Sequence, residues 1–294
     1  MRQPPYRGLK CCACLLRVLS AFACFKAKVV LNWLLQLVAP PRAIPDALWE
    51  ITLDQYPFLA ERSAPAQARL RTLTAKFLAQ KEFSGAHGLI VTDEMAVAIA
   101  AQACLPVLNL GVKLYDDFKG IVVHPGAMLA RRSMVDTAGV HHFYKEALAG
   151  EAMEGGPVTL SWQDVVPCYE HLARGYNVVI HEFVHKLDMR DGTANGCPPL
   201  PTRAAKTQWR AIMHVNYETF KERVVMAERF GADPPWLDAY GATSPAEFFA
   251  VASEAYFVNL SQFECEFSGL KPLFDGFFRQ QISGCALATR PTPA

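Results

Sequence analysis

His181-Glu182-Phe183-Val184-His185 is the stretch on which the fold turns. On a helix, positions i and i+4 lie one above the other, so two imidazoles at that spacing reach one metal ion. A carboxylate next to the first imidazole then lies beside any water the ion holds. The neighbours say helix: Val179, Ile180, Phe183, Val184 and Leu187 form a broad apolar stripe at helical spacing, and Asp191-Gly192 supplies a stop of the C-cap kind. A string of this type arises by chance in roughly one chain in a hundred of this length. Many accidental copies would fall on exposed, charged helices, whereas this one rides an apolar helix, as a zinc hydrolase site requires.

Zinc in such a site takes three protein ligands and leaves a fourth position to water, and where the third ligand lies decides the clan. One layout places glycine three residues after the second histidine and a histidine three beyond that. Here those positions hold Asp188 and Asp191, which makes Asp191 a candidate, although Asp188 suits the sharp turn less well than glycine. The other layout takes a glutamate from a later helix. Glu247, in Ser244-Pro245-Ala246-Glu247-Phe248-Phe249-Ala250, has 61 residues between it and His185 and lies on an apolar segment where an unpaired carboxylate is costly. Its competing explanation is a capping box, with Ser244 at N-cap, Pro245 at N1 and Glu247 at N3. Glu254, one heptad later on the same face, is the fallback ligand or a partner to one. Asp188 shares a face with His185 and reads as an acceptor behind the metal ligands, as a helix-end contact, or as a plain surface charge.

The 294 residues are 51% hydrophobic, enough for a sizeable core. With 29 basic and 28 acidic residues, net charge +1 and no long run of either sign, the chain carries no electrostatic footprint for nucleic acid. Small molecules and peptides remain as substrates. The nine cysteines fall at scattered spacings that form neither a disulfide framework nor paired metal knuckles, which fits a reducing, cytoplasmic compartment. At the N-terminus, Arg17 interrupts the apolar stretch Cys11 to Phe25, and Lys26 and Lys28 split it from Val29 to Val38, so neither half reaches the ~20 residues of a membrane span. This segment is expected to be a poorly ordered or peripheral extension, with membrane contact through residues 1–40 as its possible use. The catalytic domain is expected to begin near Ile44-Pro45.

Downstream, helices are expected over about 64–81, 93–104, 206–229 and 244–257, the second capped by Thr92. Short β-branched runs at Leu110 to Leu114, Gly120 to His124 and Pro157 to Trp162 read as strands of a small sheet, with 120–124 or 158–161 as the edge that pairs with an extended substrate. His124, His141 and His142 read as surface or core-edge histidines rather than ligands.

His181 through Asp188, taken with Asp238-Ala239-Tyr240-Gly241-Ala242-Thr243-Ser244-Pro245-Ala246-Glu247-Phe248-Phe249-Ala250-Val251, resembles the Mlc titration factor A family. The likeness extends through Leu105-Pro106-Val107-Leu108 and Gly156-Pro157-Val158-Thr159-Leu160-Ser161-Trp162, and so covers about residues 45–280. It implies an α+β, zincin-like (glutamate-zincin) metallopeptidase domain, mostly helical with a small mixed sheet beside the HExxH helix. That domain would span 44–285, between an extension at 1–43 and a tail at 286–294. The resemblance also implies one Zn²⁺ per chain on His181, His185 and Glu247, with Glu182 as catalytic base and Tyr240 as a hydrogen-bond donor to the transition state. Implied partners are peptide substrates of the aminopeptidase type and a transcriptional repressor of the Mlc type. A regulatory protein that only sequesters the repressor is the rival, and it would have no need for Glu182.

Overall fold

In a computed structural model, residues 42–135 and 141–279 are described, with side chains over 42–128 and 148–279. The extension at 1–43 with its cysteines and membrane contact, and the tail at 286–294, lie outside the described residues apart from 42 and 43. The rest belongs to the unit Ala43–Ala294.

Three helices come first among the described residues, α1 (Asp46–Gln55), α2 (Pro57–Ala60) and α3 (Ala64–Gln80), followed by strand β1 (Glu82–Gly85) and helix α4 (Asp93–Cys104). Strands β2 (Gly120–His124), β3 (Met128–Val135), β4 (His141–Leu148), β5 (Gly150–Ala152) and β6 (Val158–Ser161) come next. Then follow α5 (Trp162–Val165), α6 (Tyr169–Arg174), α7 (Val178–Asp188), α8 (Arg203–Phe230), α9 (Pro245–Val258), α10 (Leu260–Glu266) and α11 (Lys271–Phe278). The four long helices expected from the sequence are present within a few residues of their expected ends, and Thr92 does cap α4, accepting from the Met95 N–H at 3.3 Å. Among the described residues no helix is long and apolar enough to cross a membrane.

Two expectations are overturned. Residues 110–114 are a turn running into the 3-10 helix Val112–Tyr115, in which Val112, Leu114 and Tyr115 are buried by the tight turn rather than by strand alternation. The sheet order β1-β2-β6-β5 places both proposed edge strands inside, since β2 is hydrogen-bonded in parallel to β1 and to β6. The edge nearest the motif helix is β5, antiparallel to β6 with Gly150 opposite Leu160 and Ala152 opposite Val158. Of the three set-aside histidines, His124 ends β2 half-buried with its ring 5.4 Å from that of His87, while His141 and His142 fall on β4, where side chains are not described.

All eleven residues of α7 are buried. Phe183 points away from the two histidines into a ring of aromatics, 5.6 Å from Phe77, 5.1 Å from Tyr115 and 5.9 Å from Phe118 between centroids. Truncating such a residue to alanine costs about 3–5 kcal/mol. On the other side α9 packs on α7, and its Phe248 and Phe249 reach Phe220 and Trp209 of α8. The motif helix is thus held rigidly between the sheet and α9, which fixes the position of anything built on its remaining face.

Candidate metal centre

Helix α7 starts where Asn177 caps it, its Oδ1 accepting from the Ile180 N–H at 2.9 Å. Two turns on, the helical register brings His181 Nε2 and His185 Nε2 to 3.1 Å from each other. From α9, Glu247 Oε2 lies 3.0 Å from the first and 3.1 Å from the second. Three ligand atoms so arranged form a nearly equilateral triangle, close to the ~3.3 Å separation that zinc bonds of about 2.0–2.1 Å impose in tetrahedral geometry. Two nitrogens and one carboxylate oxygen are a donor set zinc accepts, and among the described residues this is the only such cluster. The residues fit the ion.

The capping box is present as well, but only in part. Ser244 Oγ accepts from the Glu247 N–H at 3.2 Å, while the Glu247 carboxylate turns to the histidines. The backbone of Glu247 is therefore a cap partner and its side chain a ligand. Asp191 is excluded from the triangle: its carboxylate accepts from Lys206 Nζ at 2.5 Å on the surface. Glu254, 2% exposed, takes the partner role, its Oε1 accepting from His181 Nδ1 at 2.7 Å and its Oε2 from the Asn177 N–H. Since a carboxylate only accepts, this bond places the imidazole proton on Nδ1 and leaves the Nε2 lone pair for the metal.

Asp188 proves to be a helix-end contact. It receives the N–H groups of Asn195 and Gly196 on Oδ2 at 2.8 and 2.7 Å and that of Cys197 on Oδ1 at 3.0 Å, whereas His185 Nδ1 is buried with no hydrogen-bond partner among the described residues. The loop it holds is also fastened by Trp209, whose Nε1–H donates to Gly196 O at 2.7 Å. Gly196, at φ 77°, lies against the Pro245 carbonyl at the start of α9, so a side chain there would collide with it. Through this loop the end of α7 sets the position of the turn that carries Glu247.

Electrostatics follow from burial. Burial pushes Glu182 up to about 6, against the pull of the two imidazoles and with the help of Glu247 and Glu254. Burial opposes ionisation of Glu247 too, but hydrogen bonds from His181 and His185 hold it well below the usual carboxylate range. Burial likewise opposes a charge on His181, and Glu247 and Glu254 outweigh it, so a proton and a metal compete for the same Nε2.

These groups line a cavity of about 660 Å³, together with Tyr240 and strand β5. Tyr240 stands on the 3-10 turn Ala239–Ala242, which Asp238 caps by accepting the Tyr240 N–H at 2.9 Å. The residue is 41% exposed, with its ring centroid 6.1 Å from that of His181. Glu182 lies against Gly150 so closely that a Cβ there would come within 2.5 Å of Oε1. Sequence reading missed Gly150, which carries no local signal, and Asn177, which as a capping residue before Val178 was legible.

Residues 31–279 match the model of the glucose-regulated metallo-peptidase M90 family. The chain belongs to that family. It is 35% identical over 241 residues to Mlc titration factor A of Yersinia pestis (strain Pestoides F), and equally to that of Yersinia pseudotuberculosis serotype O:1b (strain IP 31758), covering 82% of this chain and 87% of each relative. Family and triangle together make this M90 member a zinc metallopeptidase, with a single zinc site among the described residues, at His181, His185 and Glu247.

Proposed function

We propose that the chain is an aminopeptidase-like enzyme, hydrolysing peptide bonds with Glu182 as general base and Tyr240 as donor to the oxyanion. One observation carries this: the carboxylate of Glu182 shares a cavity with a complete zinc-ligand triangle, two of whose members, His181 and His185, stand on its own helix. Zinc held there supplies Lewis acidity, lowering the pKa of a water and polarising the carbonyl of the scissile bond. Glu182 accepts the proton as the water oxygen bonds to the carbonyl carbon, and returns a proton to the amine as the C–N bond breaks. The Tyr240 phenol donates to the oxygen that gains charge, and Glu254 keeps His181 in the tautomer that binds the metal.

The substrate class is supported by charge and by backbone. The ionisable residues lining the cavity, besides tyrosines and histidines, are Glu151, Glu182, Asp238, Glu247 and Glu254, which favour a free peptide ammonium group. Ala149 accepts from the Ser161 N–H and Met153 donates to the Pro157 carbonyl, so by antiparallel alternation Gly150 and Ala152 turn their main-chain groups away from β6, toward an incoming peptide. The described cysteines, Cys104, Cys168, Cys197 and Cys265, are all free, which suits the proposed cytoplasmic location.

Replacing Glu182 with glutamine should leave one zinc per chain and reduce peptide hydrolysis by roughly 10²–10⁴-fold. Undiminished turnover by the zinc-loaded variant would remove Glu182 from the mechanism. The relatives' name, Mlc titration factor A, supports a second role in docking a repressor of the Mlc type. Titration of the Glu182→Gln protein with such a repressor tests it, since docking does not need the base.

A further inference from the structure

Lys186 follows the second zinc-binding histidine directly and is 0% exposed, although a lysine is almost never fully buried without a partner. It makes no ion pair among the described residues. Instead its Nζ donates to two main-chain carbonyls, Met153 O and, at 2.7 Å, Gly156 O, and lies 4.5 Å from the centre of the Phe118 ring. Both carbonyls belong to the turn that joins β5 to β6, in which Gly155 at φ 63° supplies the positive backbone angle and Gly156 N–H bonds back to Met153 O at 3.1 Å.

The reason an ammonium group is needed there is visible in the next residue. Met153 N–H donates to the Pro157 carbonyl at 3.3 Å, and in an ordinary antiparallel pair the N–H of residue 157 would return a bond to the Met153 carbonyl. Proline has no N–H to give. The ladder therefore lacks a rung at the point where the edge strand ends, and β5 is only three residues long. Without other support such a strand would be free to shift against the helix that carries the zinc ligands, yet Gly150 and Glu182 are already at the closest approach their backbone and side chain permit.

We propose that Lys186 is a positioning residue: its buried ammonium group replaces the rung that Pro157 cannot form and locks edge strand β5 to the motif helix, fixing the height at which an extended peptide is presented to the metal centre. The structural part stands on the geometry alone, and the kinetic part rests on the peptidase assignment and on β5 docking proposed above.

Lys186→Met keeps the bulk and removes the donor, and adding Pro157→Ala returns an N–H to the ladder. Zinc content, amide exchange of Met153 and Gly156, and kcat and KM for an extended peptide and for a single aminoacyl anilide are measured on wild type, single and double variants. Lys186→Met should hold one zinc and exchange the Met153 and Gly156 amides at least about tenfold faster, with α7 unchanged. Its kcat/KM for the peptide relative to the anilide should fall on the order of tenfold to a hundredfold, mainly through KM, since a misplacement of about 1 Å costs up to about 10²-fold. The double variant should recover most of both effects, and it carries the test if the single variant does not fold.

Unchanged exchange in Lys186→Met overturns the proposal, as does equal loss on both substrates with zinc released, or no rescue by Pro157→Ala. If wild type binds zinc and hydrolyses neither substrate, the peptidase assignment fails and the exchange measurements alone decide the role of Lys186.

Discussion

Changing Glu254 to glutamine probes the metal centre through a residue that does not touch the metal. The carboxylate accepts two bonds in a buried site, from His181 Nδ1–H and from the Asn177 N–H. Glutamine has one acceptor oxygen, so its NH₂ must face one of these donors. If it faces His181, the imidazole accepts through Nδ1 and its proton moves to Nε2, where it blocks the metal. If it faces Asn177, a buried N–H at the start of the motif helix loses its partner, at about 1–3 kcal/mol. Loss of a carboxylate behind a ligating histidine typically weakens metal binding 10–100-fold, or about 1.4–2.8 kcal/mol. Zinc Kd is read by competition with a chelator of known affinity at fixed pH, and the apo-protein's melting temperature should fall by roughly 2–4 °C for each kcal/mol lost. A Kd within threefold of wild type would refute the claim that Glu254 sets the His181 tautomer.

Two further outcomes follow from the same geometry. Glu182 acts as a base only when ionised; burial holds its carboxyl up to about 6 without metal and a bound dication lowers it, so the acid limb of kcat/KM in the zinc enzyme should approach tenfold per pH unit with its midpoint below 6. An acid limb with its midpoint above pH 6 would contradict the assignment. Gly150→Ala, whose Cβ would press to 2.5 Å from Glu182 Oε1, should displace the base or the edge strand and cost on the order of 10²-fold in kcat/KM while zinc content stays at one per chain. Wild-type rates in that variant would show that the gap is not used.

The parts of the structure written in local pattern were legible. Val179, Ile180, Phe183, Val184 and Leu187 repeat at helical spacing, and Ser244-Pro245 marks the start of α9, so the two helices that bear the ligands could be drawn before any contact was known. Glu247 was ambiguous because one residue serves two ends: its N–H completes a cap and its carboxylate completes the metal triangle. What was hidden depends on neighbours distant in sequence. Leu110 to Leu114 has the composition of a strand but no strand to pair with, and Gly120 to His124 looks like an edge until β1 and β6 are found on both its sides. The short sequence Glu82–Gly85 becomes a strand only through its parallel partner. Lys186 drew no reading, because nothing in a linear sequence shows that a turn about thirty residues earlier lacks an N–H at Pro157.

The identity of the third ligand is tested most directly by zinc stoichiometry and Kd for wild type, Glu247→Ala and Asp191→Ala. Wild type and Asp191→Ala should each hold one zinc per chain with similar affinity, because Asp191 is engaged by Lys206 at the surface. Glu247→Ala should lose more than the ~10–100-fold that an outer partner costs. Zinc bound as tightly by Glu247→Ala as by wild type, with loss in Asp191→Ala, would contradict the triangle of His181, His185 and Glu247 and the glutamate-zincin assignment built on it.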